Sequence, residues 1–206
     1  MFNLEELFLS VPAILFGLTI HEFSHGYAAL ILGDPTAKAQ GRLTLNPLRH
    51  LDPIGTLLLL LPWTRFGWAK PVPINPGNFR HPLRDLAISS LAGPLANFLI
   101  ALVSGLIVRV FLLFGISGFA IRLANYFVLY NLILCFFNLI PIPPLDGSRL
   151  LYYILPSNVA VWFGRLEQYS FLGMIMIFVL GVPVFRVVIL PLVFTTTRLL
   201  TGQAGI

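Results

Sequence analysis

Long apolar segments are the feature that most limits how this chain can fold. Four segments are long and apolar enough to cross a bilayer as helices, at about 7–32, 86–114, 119–141 and 171–200. Only 10% of the residues are charged, whereas a soluble domain has about 25%. So few charges cannot cover a water-exposed surface, and lipid is therefore the solvent for most of the chain. The sequence predicts an all-α polytopic membrane protein with about four to six membrane segments.

The stretch at about 33–85 follows the first predicted span and is rich in Pro and Gly. It has little helical periodicity, and its apolar run at 54–62 is too short to cross as a helix. We therefore expect a partly extended loop or a re-entrant region. Seven of the thirteen basic residues are spread along it: Lys38, Arg42, Arg49, Arg65, Lys70, Arg80 and Arg84. Such spreading is typical of a cytoplasmic loop and not of a nucleic-acid-binding surface.

A cytoplasmic 33–85 stretch fixes the direction of the predicted spans. The first span then runs from outside to inside, and the next two form a hairpin whose outer turn lies near 115–118. Arg109 and Arg122 lie on the outer side in this scheme, against the trend for basic residues. In the last segment, Pro183 and Pro191 predict a kinked span or a span followed by a surface helix.

The domain organisation follows from how much of the chain the spans use. We expect one membrane-embedded domain over residues 1–206 and no separate soluble domain. Glu5 and Glu6 precede the first apolar run where a cleaved signal peptide would have basic residues, so this span is expected to be permanent. The expected location is a plasma membrane, crossed several times.

The chemistry of the chain starts from a histidine pair inside the first span. His21 and His25 are four residues apart, so they share one face of a helix and can bind one Zn²⁺ together. Glu22 then lies beside the metal, where a carboxylate can take a proton from an attacking water. Three ionisable residues this close together would be costly on a lipid-facing surface, so we expect them to face the protein interior.

A catalytic zinc needs a third protein ligand, and the sequence around His25 does not supply it. A zinc-binding pattern of soluble proteins has its third histidine six residues after the second. That pattern is absent here, because the position is Ile31. His50 and His81 lie in the polar loop, where surface or interface roles are expected. Asp146 follows a Pro-rich break at the end of an apolar span, where its carboxylate could point into a membrane cavity. Alternatively, Asp146 could cap a helix that begins at Gly147, since Asp is a good N-cap.

These motifs together resemble a known family over about residues 14–155. His21-Glu22-x-x-His25 in a span is followed by N-x-x-P-x-P-P-L-D-G, which ends at Asp146-Gly147. Further matching segments are G-R-L-T-L-N-P at 41–47, K-P-V-P at 70–73 and S-L-A-G-P-x-x-N at 90–97. The chain resembles the site-2 protease family of intramembrane zinc metalloproteases, in its compact branch without PDZ or CBS domains.

The resemblance implies an enzyme that hydrolyses peptide bonds in or near the transmembrane segments of membrane proteins. It implies one Zn²⁺ per chain, held by His21, His25 and Asp146, with Glu22 as the general base. The implied partners are transmembrane protein substrates in a lipid bilayer, with a separate gating partner where the membrane domain does not gate substrates itself. The active site is expected nearer the cytoplasmic side, in the plasma membrane of a prokaryote.

Two asparagines also match polar positions of the family. Asn97 and Asn138 would lie near the active site, where an amide can orient substrate or stabilise an oxyanion. An asparagine in a span can also simply hydrogen-bond one helix to another. Both interpretations stay open at this stage.

Two other classes of function fit part of the pattern. A transporter or proton relay also buries His, Glu and Asp in its spans, but it gives no reason for two histidines four residues apart. A non-catalytic relative that binds membrane helices without cutting them would have no need of Glu22. Zinc content, ion flux and a Glu22→Gln variant distinguish the three hypotheses.

Overall fold

The computed structural model describes residues 4–60, 69–156, 159 and 184–203. Within these residues the architecture is helical, and the only β-pairing is a single antiparallel bridge between Leu51 and Ala69. The predicted all-α class is confirmed. The helices are α1 (Leu4–Ile31), α2 (Thr36–Ala39), α3 (Pro53–Leu60), α4 (Pro82–Leu113), α5 (Phe119–Asn138), α6 (Asp146–Ile154) and α7 (Leu190–Thr201), with 3-10 turns at Pro47–Arg49 and Pro76–Asn78.

Three helices of the described part are long and apolar enough to cross a membrane: α1, α4 and α5. They match the first three predicted spans to within a few residues at each end. Large apolar side chains on α4, such as Leu99 and Val103, are more than half exposed. Exposed apolar surface on a spanning helix faces lipid, because no water is present there. The protein is a multi-pass membrane protein.

The fourth predicted segment, 171–200, is described only from residue 184 onward, and Pro183 lies outside the described residues. Its described part is helical, with a π-helical turn at Phe185–Ile189 that leads directly into α7. Pro191 lies in the first turn of α7 and has no N–H to donate to the carbonyl four residues earlier. This missing donor explains why the helix widens just before Pro191.

The described core lies between α4, α5 and the helical stretch 185–201. Its buried apolar residues are Ala101, Val128, Leu132, Ile189 and Val193. Lipid tails are as apolar as these side chains, so close packing rather than exclusion of water holds the helices together. Helices α4 and α7 pack closely at Gly105, where an added Cβ would lie 2.8 Å from the Cβ of Leu200.

The two basic residues on the predicted outer side both have partners that hold helix ends together. Arg109 of α4 donates from Nε to the carbonyl of Leu200 at 2.7 Å and from Nη2 to that of Leu199 at 2.6 Å. Arg122 of α5 forms an ion pair with Glu5 of α1. The start of α1, the α4–α5 turn and the end of α7 therefore lie at one end of the bundle, and the 33–85 stretch lies at the other.

Cysteine labelling tests this arrangement of helix ends. Cys135 is the single cysteine of the chain, so it is first replaced by alanine. In that background, Ser117→Cys and Gln203→Cys should react with a membrane-impermeant maleimide from the same side of sealed vesicles. Lys38→Cys should react only from the opposite side. Labelling of the 117 and 203 positions from opposite sides would contradict the contacts of Arg109 with the end of α7.

Asp34 fixes the loop after α1 against the second half of the 33–85 stretch. The carboxylate is buried and accepts hydrogen bonds from the backbone N–H of Asn75 and the side chain of Asn78, both at 2.7 Å, and from Thr36. Burial by itself raises the pKa of Asp34, but the hydrogen bonds from Asn78, Thr36 and Asn75 outweigh it and hold the pKa below its usual value. An ionised Asp34 thus keeps residues 75–78 beside the end of α1.

The two loop histidines have different environments. His81 is exposed and precedes α4, as expected of a surface residue. His50 is 1% exposed, so a surface role for it is wrong. Its Nε2 donates to the carbonyl of Thr44 at 2.7 Å, and its own carbonyl accepts from the N–H of Lys70 at 2.8 Å. His50 therefore packs inside the loop, where its backbone carbonyl joins the first half of the loop to the second.

Candidate metal centre

Three of the predicted site residues meet at one point between α1 and α6. The Nε2 atoms of His21 and His25 lie 2.9 Å apart, and Oδ2 of Asp146 lies 3.1 Å from each of them. Both histidines are about 5% exposed or less, since α1 packs against both α4 and α5. The helical spacing of the histidines and the return of the chain after α5 thus create one buried cluster of ligand-type atoms.

Asp146 reaches this cluster because the chain breaks after α5 and starts a new helix at a fixed place. Helix α5 ends at Asn138, and α6 begins at Asp146 with Leu145 as its N-cap. Asp146 is therefore not the N-cap of a helix starting at Gly147, and its carboxylate points to the histidines instead. Gly147 lies in the first turn of α6 and has an ordinary helical backbone. A Cβ at Gly147 would overlap the carbonyl of Leu139, so close packing requires the glycine.

The other ring nitrogen of each histidine is held by an acceptor on α4. His21 Nδ1 lies 2.6 Å from Oδ1 of Asn97, and His25 Nδ1 lies 2.7 Å from the carbonyl of Ser89. A carbonyl oxygen can only accept, so each Nδ1 carries the proton and donates. Both Nε2 atoms are then unprotonated in the neutral imidazoles, and their lone pairs point toward Asp146.

This donor set fits a zinc ion on chemical grounds. In these tautomers two imidazole lone pairs and a carboxylate oxygen face one another at 2.9–3.1 Å, which is repulsive unless a proton or a metal cation lies between them. Tetrahedral ligands of zinc lie about 3.3 Å apart, within a few tenths of an ångström of these distances. Two histidines and a carboxylate form a known three-ligand set for catalytic zinc, with one position left open.

Gly93 of α4 makes room for the histidine pair. A Cβ built at Gly93 would overlap Nε2 of His25 and would lie 2.8 Å from Cε1 of His21. Any larger residue would therefore displace a ring at its ligating side. The glycine explains how two bulky imidazoles can lie against a neighbouring helix at this level of the membrane.

Glu22 lies beside the cluster and is anchored by one carboxylate oxygen. Its side chain is 8% exposed, and Oε2 accepts the backbone N–H of Val72 at 2.8 Å. Val72 stands between Pro71 and Pro73, which have no N–H, so its amide is the only donor of that tripeptide. Oε1 makes no hydrogen bond in the described part of the chain, which leaves one oxygen for a reacting proton.

The two asparagines predicted near the site have different positions. Asn97 is fully buried behind His21, and its Nδ2 donates to the carbonyl of Gly17 at 3.1 Å and to Oδ1 of Asn131 at 2.8 Å. Both of its N–H groups are thus used, and none remains for an oxyanion. Asn138 donates to the carbonyl of Leu134 in its own helix, and among the described residues no hydrogen bond joins it to the three ligand-type side chains.

Sequence reasoning did not assign roles to three groups that hold the site: Asn131, the Ser89 carbonyl and the Val72 amide. Asn131 had a detectable signal, since it is a polar residue inside an apolar span and shares a helix face with Asn138, seven residues later. The other two groups belong to the backbone, and residue identity gives no signal for them. Only the packing of α4 and of the 69–75 segment against α1 brings them to the site.

Comparison with known proteins gives consistent similarities. Residues 115–181 match the model of "Peptidase family M50". A Bacillus subtilis protein named "Putative zinc metalloprotease YwhC" is 38% identical over 175 residues, which are 82% of this chain and 79% of that protein. A Mycolicibacterium smegmatis protein named "Putative zinc metalloprotease Rip2" is 28% identical over 83% of this chain and 66% of its own length. No solved structure matches the chain significantly.

Proposed function

The chain belongs to peptidase family M50, the site-2 protease family, and on this premise we propose that it is a zinc-dependent endopeptidase that cuts transmembrane segments of other membrane proteins. In this proposal His21, His25 and Asp146 hold the zinc ion, and Glu22 is the general base. The names of two similar proteins describe zinc metalloproteases, which supports the choice of metal.

The convergence of three ligand atoms is the single observation that carries the proposal. Their two Nε2 atoms and one Oδ2 atom lie within 3.1 Å of each other, although His21 and Asp146 are 125 residues apart in sequence. Both imidazoles are held with Nε2 unprotonated, as a metal ligand requires. A transporter would need ionisable groups in its spans but no such three-ligand set.

The protein residues divide the work of peptide hydrolysis between them. The chemistry that a bound zinc ion supplies is polarisation of the scissile carbonyl and a lowered pKa of the attacking water. Glu22 takes the proton of that water on Oε1 while Oε2 stays bound to the Val72 amide, and Glu22 then gives the proton to the leaving amine. Asn97 and the Ser89 carbonyl keep both rings in position throughout.

The location of the site favours substrates that lie in the membrane. His21 and His25 are in α1 and their hydrogen-bond partners are in α4, both long and apolar enough to span the bilayer. The site is toward the end of the bundle that carries the basic 33–85 stretch, which supports an active site nearer the cytoplasm. The named relatives are bacterial, which supports a prokaryotic plasma membrane. A substrate helix must unwind there to expose a peptide bond.

Removal of the metal tests the proposed function. Purified protein should contain about one zinc per chain, lose cleavage of a model transmembrane substrate after chelation, and regain it when zinc is added back. Asp146→Ala removes one of three ligands, so its zinc affinity should fall by about 100-fold or more. Folded wild-type protein that binds no zinc would refute the protease and direct attention to ion flux.

The Val72 amide gives a separate test of how Glu22 is held. Val72→Pro removes the N–H that Oε2 accepts, whereas Val72→Ala keeps it. A hydrogen bond to a charged group contributes about 1.5–3 kcal/mol, so Val72→Pro should lower kcat about 10–100-fold with zinc content unchanged. Val72→Ala should stay within about threefold of wild type, and an equal loss in both variants would assign the effect to packing.

A further inference from the structure

His21 is connected to the third span through two buried amides. Its Nδ1 donates to Oδ1 of Asn97 in α4 at 2.6 Å, and Nδ2 of Asn97 donates to Oδ1 of Asn131 in α5 at 2.8 Å. Asn97 and Asn131 are both fully buried. A Cβ at Gly17 of α1 would lie 2.7 Å from Oδ1 of Asn131, so the three helices are in close contact at this level.

A backbone carbonyl beside each of the two amides sets the direction of the hydrogen bonds in this connection. Nδ2 of Asn131 donates to the carbonyl of Phe127 at 2.9 Å, and this fixes Oδ1 of Asn131 toward Asn97. Nδ2 of Asn97 donates to the carbonyl of Gly17 at 3.1 Å, and this fixes Oδ1 of Asn97 toward His21. With an acceptor facing it, Nδ1 of His21 must carry the ring proton.

The ring proton decides whether His21 can bind metal at Nε2. If the amide of Asn97 turned over, its N–H groups would face Nδ1, and the proton would move to Nε2, where it blocks a metal. Two acceptors oppose that turn, the carbonyl of Gly17 and Oδ1 of Asn131. Of these two, only Oδ1 of Asn131 belongs to a side chain, so only that acceptor can be removed by substitution.

We propose that Asn131 is a positioning residue for the metal centre, which acts through Asn97 to hold His21 as an Nδ1–H ligand. The inference rests on the proposed zinc site and adds a residue whose side-chain hydrogen bonds go to Asn97 and Phe127 and not to a proposed ligand. Asn131 would then set the zinc affinity and the rate of zinc release. A residue that only packed α5 against α1 would affect the stability of the fold and leave the tautomer of His21 unchanged.

Three variants of α5 separate these two roles. Asn131→Leu removes the acceptor and keeps the number and branching of the side-chain heavy atoms. Asn131→Asp, protonated in its buried position, keeps an oxygen that accepts from Asn97 and an O–H that can donate to Phe127. Asn125→Leu is the matched control, since it exchanges an asparagine of the same helix whose Oδ1 is buried without a hydrogen bond in the described part of the chain.

The measurement is zinc affinity by chelator competition on purified full-length protein, with the zinc release rate from the same preparations. Loss of a group that orients a ligand weakens metal binding about 10–100-fold. Asn131→Leu should weaken zinc binding about 10-fold, the smaller end of this range, because the carbonyl of Gly17 still orients Asn97. Asn131→Asp should return to within about threefold of wild type, and Asn125→Leu should not change. The visible spectrum of Co²⁺-loaded protein should shift in Asn131→Leu only.

Either of two kinds of result, no effect of Asn131→Leu or a failed control, would overturn the inference while leaving the proposed function intact. In one, wild type binds zinc and Asn131→Leu binds it equally well. In the other, Asn131→Asp fails to restore the affinity that Asn131→Leu loses, or Asn125→Leu loses as much. A wild-type protein that binds no zinc would instead refute the proposed function itself.

Discussion

Glu22→Gln is expected to bind zinc as wild type does and to cleave a transmembrane substrate about 10²–10⁴-fold more slowly. Glutamine keeps the size of the side chain and an oxygen that can accept the Val72 N–H, so the 69–75 segment should stay in place. It cannot take a proton from water at the pH of the assay. The loss should therefore appear in kcat at unchanged zinc content, measured with purified protein and a model substrate.

A matched control lies on the same helix. Glu6→Gln makes the same chemical change in the first turn of α1, at the opposite end from His21, and should leave the cleavage rate within about twofold of wild type. If Glu22→Gln kept a tenth or more of wild-type kcat, Glu22 would not be the base. If it lost zinc, its carboxylate would be part of the metal site instead.

The spans and the histidine pair were predictable because each rests on a regular spacing. An apolar run of about 20 residues crosses lipid as a helix, because only a helix satisfies its backbone hydrogen bonds within the segment. The runs therefore predicted α1, α4 and α5 with small errors at their ends. Within a helix, a separation of four residues puts His21 and His25 on one face. These arguments need no knowledge of how helices pack against each other.

Asp146 was harder to predict because its role depends on a contact between distant parts of the chain. Its residue type and its Pro-rich surroundings left a helix cap and a metal ligand both open. The resemblance to a known family favoured the ligand, and the structure brings Oδ2 to 3.1 Å from both rings. Nothing local to residue 146 determines that distance, since it depends on how α6 packs against α4 after the seven residues that follow α5.

The backbone groups that hold His25 and Glu22 could not be predicted from residue types. The Ser89 carbonyl is a backbone atom that any residue would provide, and the Val72 N–H is one that any residue except proline would provide. Their roles depend on which backbone group faces α1 when α4 and the 69–75 segment pack against it. The surface role predicted for His50 was wrong for a related reason: a polar loop in a membrane protein can still have an interior, and residue type does not show which side chains pack inside it.

Gly93 shows how a motif can be visible in sequence while its physical reason is not. It belongs to the segment S-L-A-G-P-x-x-N that resembles the family, but a glycine in a membrane helix commonly serves only close helix packing. In the structure it lies against the Nε2 side of both rings, so a Cβ would overlap Nε2 of His25, the proposed ligand atom. Its substitution should thus affect the metal before it affects the fold.

Gly93→Ala is therefore expected to weaken zinc binding about 100-fold or more, because the added methyl group displaces a ring that must ligate. Gly105→Ala is the matched control in the same helix, where the added Cβ meets Leu200 of α7 and not the histidines. That variant should lower the thermal stability of the metal-free protein but keep wild-type zinc affinity. If Gly93→Ala instead bound zinc normally, the two imidazoles could not lie against α4 as they do here, and the tautomers assigned through Asn97 and Ser89 would lose their basis.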